Sequence, residues 1–223
     1  MAPDTRHFSD ELDEINQRLL LMGGLAEERL RSAMRALVDR DRAVMADIAR
    51  GDDAINRMHI EVDDRCLKFL ALHQPMAVDL RVVVAALRIN SDLERIGDLA
   101  VNVAEAASRY VDHAPVKRLI DLPRMSDLAQ WMLHEALNAF VARDVHAAEA
   151  VLAEDDLVDA LKNQIFRELL TYMLGDPRTI EPAIQLILVS RHLERVGDHA
   201  TNIAEDVIFI VEARDVRHHA AER

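Results

Sequence analysis

The chain has 223 residues, half of them apolar and only 4% aromatic, with six glycines, six prolines and a formal net charge of −13. That composition is the signature of an all-α protein, long enough to bury most of its apolar surface. The acidic balance excludes broad phosphate-backbone binding to nucleic acid, the lone Cys66 excludes an internal disulfide, and no apolar run approaches the roughly 20 residues that a membrane span needs.

The N-terminal sequence lacks the apolar run of a signal peptide, so a cytoplasmic protein is expected. Phe8, Leu12, Ile15, Leu19, Met22, Ala26, Leu30, Ala33 and Leu37 step by three and four and predict one long amphipathic helix. Ser9 is its expected N-cap. Asp39-Arg40-Asp41 kinks or restarts that helix, and Gly51 ends it. A second helix is expected over 52–72, with Cys66 as a small core residue. Pro75 marks a turn, and a third helix runs to about Val111. Pro115 and Pro123 fall in a linker, 113–123. The second half repeats the pattern, with helices near 124–152, 155–174 and 178–213. Pro182 is awkward inside the last, which is therefore expected to begin near Glu181 or to bend there. Trp131 and Tyr172 read as core or interface aromatics. Residues 216–223 are a polar tail.

The third helix of each half carries the same motif. Residues 94–105 read ERIGDLAVNVAE and residues 194–205 read ERVGDHATNIAE. The correspondence extends outwards: Ala33–Asp41 matches Ala136–Asp144, and Asp52-Asp53 matches Asp155-Asp156. A unit of about one hundred residues present in two copies is a duplicated domain rather than a solenoid. The expected architecture is two tandem three-helix bundles, 1–112 and 124–215, related by a pseudo-two-fold.

Within the motif, Glu94, Asp98 and Asn102, and likewise Glu194, Asp198 and Asn202, lie within roughly 80° of arc on a helix. Glu105 and Glu205 continue these stripes. Like charges four apart cost a helix a few tenths of a kcal/mol per pair, so their duplication points to a purpose beyond helix formation. The second helix adds Asp52 and Asn56 in one copy and Asp155 and Asp159 in the other. If the turns centre near 75 and 176, Asp52 and Asn56 face residues near 98 and 94, and Asp155 and Asp159 face residues near 197 and 193. Nearly all-oxygen donor sets suit hard cations, and several carboxylates together suit more than one ion. The competing reading is a solvated acidic stripe. The duplication, together with Gly97 and Gly197 opening space beside the acids, favours cation binding. Among ten histidines, only His59 shares the Asp52/Asn56 face. His192 and His199 share a different face with Arg195, suited to pairing with acids or contacting a partner. No histidine has Glu three positions before it, which disfavours a ferritin-like di-iron site. No phosphate loop, dinucleotide fingerprint or nucleophile elbow is present.

The doubled motif, with Leu72-His73-Gln74-Pro75, Asp79-Leu80-Arg81 and the run 164–173 (QIFRELLTYM), resembles the PhoU family of bacterial phosphate-transport regulators over essentially the whole chain. The resemblance implies two tandem three-helix bundles. It also implies multinuclear metal clusters (iron, zinc, manganese or magnesium) on the Glu94/Asp98 and Glu194/Asp198 faces, to which the helical spacing and hairpin register add Asp52, Asn102, Asp155, Asp159 and Asn202 as expected ligands. It implies a non-enzymatic adaptor that relays phosphate sufficiency from a phosphate ABC transporter ATPase to a membrane sensor histidine kinase, recruited to the inner membrane face through those partners. A homodimer or higher homo-oligomer is expected. Two departures stand out: the family's His after the motif Asp is Leu99 in the first copy, and its second-helix acid pair is Asp52/Asn56. The first site is therefore expected to bind metal more weakly. The alternatives are a carboxylate-bridged hydrolase and a purely structural helical scaffold.

Overall fold

The computed structural model describes residues 5–51, 53–214 and 216. Helices α1 (Thr5–Asp39), α2 (Arg42–Ala49), α3 (Asp53–His73) and α4 (Val78–Tyr110) form the first repeat. Helices α5 (Asp121–Ala142), α6 (Val145–Ala153), α7 (Asp155–Gly175) and α8 (Ile180–Glu212) form the second, and a short 3₁₀ turn, Pro177–Thr179, precedes α8. No strand occurs among the described residues. The all-α tandem duplication expected from the sequence is what the chain adopts, and no helix is long and apolar enough to cross a membrane.

Each long first helix is broken at the same place in the repeat. Arg40 and Arg143 adopt left-handed backbone, with φ of 57° and 54°, a conformation that terminates a helix at some cost for a non-glycine residue. The next residue starts a new helix: Asp41 Oδ1 accepts from the backbone N–H groups of Ala43 and Val44, and Asp144 Oδ1 from those of His146 and Ala147. The restart expected at Asp41 is therefore present. The single helix expected over 124–152 is instead two, because Arg143-Asp144 repeats the same break. Ser9 is not a cap, since α1 begins at Thr5 and passes through it. Pro123 and Pro182 both lie in the first turns of α5 and α8, where a missing N–H removes no helix bond. The inter-helix linker accordingly ends at Ile120. Trp131 and Tyr172 are not core residues; both are exposed.

The pairwise packing of the helices shows the pseudo-two-fold. Helix α4 packs on α1, α2 and α3, and α8 packs on α5, α6 and α7 in the same pattern. The repeats meet through α4 on α8 and α1 on α5, the pairs that a two-fold maps onto themselves. Both pairs are antiparallel. Along α4 and α8, Arg81 Nε donates to the Ile210 carbonyl at 3.0 Å, Arg88 pairs with Asp206 at 2.8 Å, and His199 Nδ1 donates to Asp92 Oδ1 at 2.8 Å. Buried apolar side chains from both repeats form one continuous core. The two bundles are thus fused, with α4 and α8 at the centre. Asp206 is almost fully buried, and Arg88 also lies over the Phe209 ring. Cys66 is buried as expected, and burial pushes its thiol up to about 12.

Gly97 and Gly197 do not open space beside the acids. They let the second helix of each repeat approach closely: a Cβ on Gly97 would meet Ile55 Cδ1 at 2.9 Å, and one on Gly197 would meet Val158 Cγ1 at 3.5 Å. Helix propensity rewards alanine over glycine by about 1 kcal/mol, and only Gly197 has room to collect it. Gly197→Ala should raise the melting temperature by about 2–4 °C, whereas Gly97→Ala should end at or below wild type because Ile55 must move. Equal gains in thermal unfolding would contradict this packing. Arg88→Met leaves the Asp206 carboxylate buried beside an apolar chain, and urea unfolding should show a loss of about 2–4 kcal/mol.

Candidate functional site

The acidic faces are set by where α3 crosses α4 and α7 crosses α8. Ile55 rests against Gly97 and Val158 against Gly197, close to the register expected from the hairpin turns. In the second repeat the four expected acids share one neighbourhood. The Asp155 carboxyl is held above its ordinary value by burial and by the charges of Asp159, Asp156 and Glu194. Asp198 is pushed up to about 6, by burial first and then by Glu194 and Asp155. Its side chain still reaches solvent, which screens that repulsion.

A fifth group sits among them. Lys162, on α7, donates from Nζ to Asp159 Oδ1 at 2.7 Å and to Glu194 Oε1 at 2.8 Å. These two bonds raise its pKa further. Lys162 was not singled out from the sequence, although an Asp and a Lys three apart on a helix are natural partners and the acid of this pair lies on the predicted face.

The remaining expected ligands are placed differently. Asn202 Nδ2 donates to Asp92 Oδ1 across the α4–α8 interface at 3.3 Å. This amide therefore serves the inter-repeat contact made by His199. In the first repeat, Glu94 is half-buried and Asp98 exposed on α4; Arg95 Nε lies 3.7 Å from Glu94 Oε2. Asn102 lies half-buried on the same helix, two turns beyond Glu94. Asp52 lies outside the described residues. Asn56 is exposed. His59, the histidine considered as a ligand, is engaged by other groups: its Nδ1 donates to the Asn90 carbonyl at 3.3 Å and its Nε2 lies 3.6 Å from Asp63. The buried Asn90 fastens this corner by donating to the His59 carbonyl and to Asp63.

His199 pairs with an acid, as expected for that face. In the duplicated register His192 takes the place of Asp92, and Leu99 that of His199. Burial, Arg195 and Arg191 hold the His192 imidazole below its ordinary pKa, and its Nδ1 is buried without a partner among the described residues.

The oxygen donors fit a hard cation in kind. Among the described residues no three carboxylate, imidazole or thiol groups converge as a metal-ligand set, and in the second repeat an ammonium bridges two of the four acids.

The chain matches the PhoU domain model twice, over residues 19–107 and 122–207. It is 40% identical, over 92% of its length and 89% of the relative's, to a phosphate-specific transport system accessory protein PhoU homolog of Caulobacter vibrioides. It is also 40% identical to the homolog of that name from Pseudomonas aeruginosa, over 96% of this chain and 89% of that one. Among solved structures, it superposes on PhoU from Pseudomonas aeruginosa with a TM-score of 0.88 at 39% identity, covering 93% of this chain and all of that one. The phosphate transport system regulatory protein PhoU from Streptococcus pneumoniae follows, with a TM-score of 0.86 at 28% identity, covering 94% of this chain and 99% of that one. The chain belongs to the PhoU family.

Asp198 binds its proton more tightly folded than unfolded. The stability this contributes is complete below the unfolded carboxylate pKa of about 4 and is lost as the pH rises through about 6. With chelator present, Asp198→Asn should melt about 1–3 °C above wild type at pH 8 and level with it near pH 4. An unchanged slope between those pH values in the variant would contradict the crowding of charge at this position.

Proposed function

We propose that this PhoU-family chain is a non-enzymatic regulator of phosphate transport. It acts in the cytoplasm by contact with the transporter's ATPase subunit and with a sensor histidine kinase, keeping phosphate-starvation genes off while phosphate is plentiful. The observation that supports this most is the match of both repeats to the PhoU domain, with relatives named as accessory proteins of phosphate-specific transport matching over 92% and 96% of the chain. The acidic faces on α3/α4 and α7/α8 are the places where hard cations (iron, zinc, manganese or magnesium) would bind and alter the surface offered to partners. The cations would be held by Glu94 and Asp98 with Asp52 in the first repeat; in the second, Asp155, Asp159, Glu194 and Asp198 would hold one only once the Lys162 ammonium has left Asp159 and Glu194.

An adaptor works by differential affinity for the states of its partners and needs no reacting group. Its only cysteine is buried, with its pKa pushed up to about 12, so Cys66 is a neutral thiol rather than a nucleophile. The alternative of a carboxylate-bridged hydrolase loses ground at the second face, where an ammonium takes up two of the acids that would have to hold bridging ions. Fusion of the repeats through α4 and α8 supports a rigid body that offers both faces at fixed geometry.

Deleting the gene should switch phosphate-starvation genes on in phosphate-replete cells, and tagged protein should recover the transporter ATPase or the kinase. Normal repression in the deletion strain, with neither partner recovered, would overturn the proposal.

A further inference from the structure

The two acidic faces are equivalent by duplication and different in charge. On α7, Lys162 lies one turn beyond Asp159, and its half-buried ammonium also reaches Glu194 on α8. The residue at the matching place on α3 is His59, whose ring is committed to the Asn90 carbonyl and Asp63. Among the described residues, only the second face therefore has a positive charge held between its second-helix and third-helix acids. The ammonium's charge-assisted hydrogen bonds engage two of the carboxylates that a small metal ion would coordinate at the same place. An ammonium on a long flexible stem can also leave it at modest cost.

We propose that Lys162 is the built-in cation of the second face: its ammonium takes the position between Asp159 and Glu194 that a hard divalent ion would occupy, so that such an ion enters only by expelling the lysine. This rests on the reading of the acidic faces as cation-binding. It makes the second face the less receptive of the two, the reverse of the order that Asn56 and Leu99 suggest.

The test is a titration with Mn²⁺, by calorimetry and by thermal shift, of the full chain and of Lys162→Met, each with and without Glu194→Gln. In wild type, Glu194→Gln should leave the Mn²⁺ response unchanged, because that face is not taking up the ion. Lys162→Met should gain a Mn²⁺ binding event, roughly tenfold or more tighter than any at this face in wild type, and Glu194→Gln should abolish it. With chelator, Lys162→Met should melt below wild type, and Mn²⁺ should close the gap. Two results would overturn the proposal: loss of a Mn²⁺ site from wild type on Glu194→Gln, or identical titrations for wild type and Lys162→Met. The regulatory role is read separately, as repression of starvation genes in cells, so failure of one reading is distinguishable from failure of the other.

Discussion

The antiparallel packing of α4 on α8 is the constraint on which the rest of the molecule depends. Each of these helices carries one copy of the duplicated motif, and each must satisfy three neighbours at once. One side, through Ile96, Ala100 and Val103 or Val196, Ala200 and Ile203, belongs to the common core. Another side is occupied by the second helix of its own repeat, admitted closely at Gly97 and Gly197. A third meets the opposite repeat through Arg81, Arg88 and Asp92 on α4 and His199, Asp206 and Ile210 on α8. What remains of the circumference is the acidic stripe, which stays on the outside because no other direction is left. Arg88 answers the charge of the buried Asp206, and removing Arg88 would strip that ion pair from the carboxylate.

Much of this was legible in the sequence. The three-and-four spacing of apolar residues gave the long helices, and the doubled motif gave the duplication. The break at Asp41 could be read because Asp39-Arg40-Asp41 interrupts the stripe. The matching break at Arg143-Asp144 is masked by Val145, Ala147, Ala148 and Val151, which continue an apolar pattern across it, although the match of Ala33–Asp41 to Ala136–Asp144 carries it. Rotation about a helix axis was the main loss. Asn202 shares an 80° arc with Glu194 on an ideal wheel, yet the antiparallel partner claims it through Asp92. Lys162 was invisible for a related reason. A lysine on an exposed helix face is ordinarily solvent-facing, and only the seating of α7 on α8 brings Glu194 within its reach.

The two copies have diverged where the inter-repeat contact and the acidic faces are built. His199 donates to Asp92, whereas the same position in the other copy holds Leu99, and the counterpart of Asp92 is His192, whose buried Nδ1 has no partner among the described residues. Asp159 and Lys162 stand where the first repeat has Asn56 and His59. Duplication supplied two equal surfaces, and these substitutions made them electrostatically distinct. A regulator that must distinguish partners or states gains from such a difference, because two identical faces would offer every partner the same binding free energy twice.

The difference between the faces is seen most directly by locating the ions themselves. Crystals grown with Mn²⁺ and measured at the manganese absorption edge would show any bound ion as an anomalous peak. The account predicts no peak among Asp155, Asp159, Glu194 and Asp198, with Lys162 Nζ still bridging Asp159 and Glu194. A manganese peak in the middle of those four carboxylates, with the lysine turned out to solvent, would contradict it.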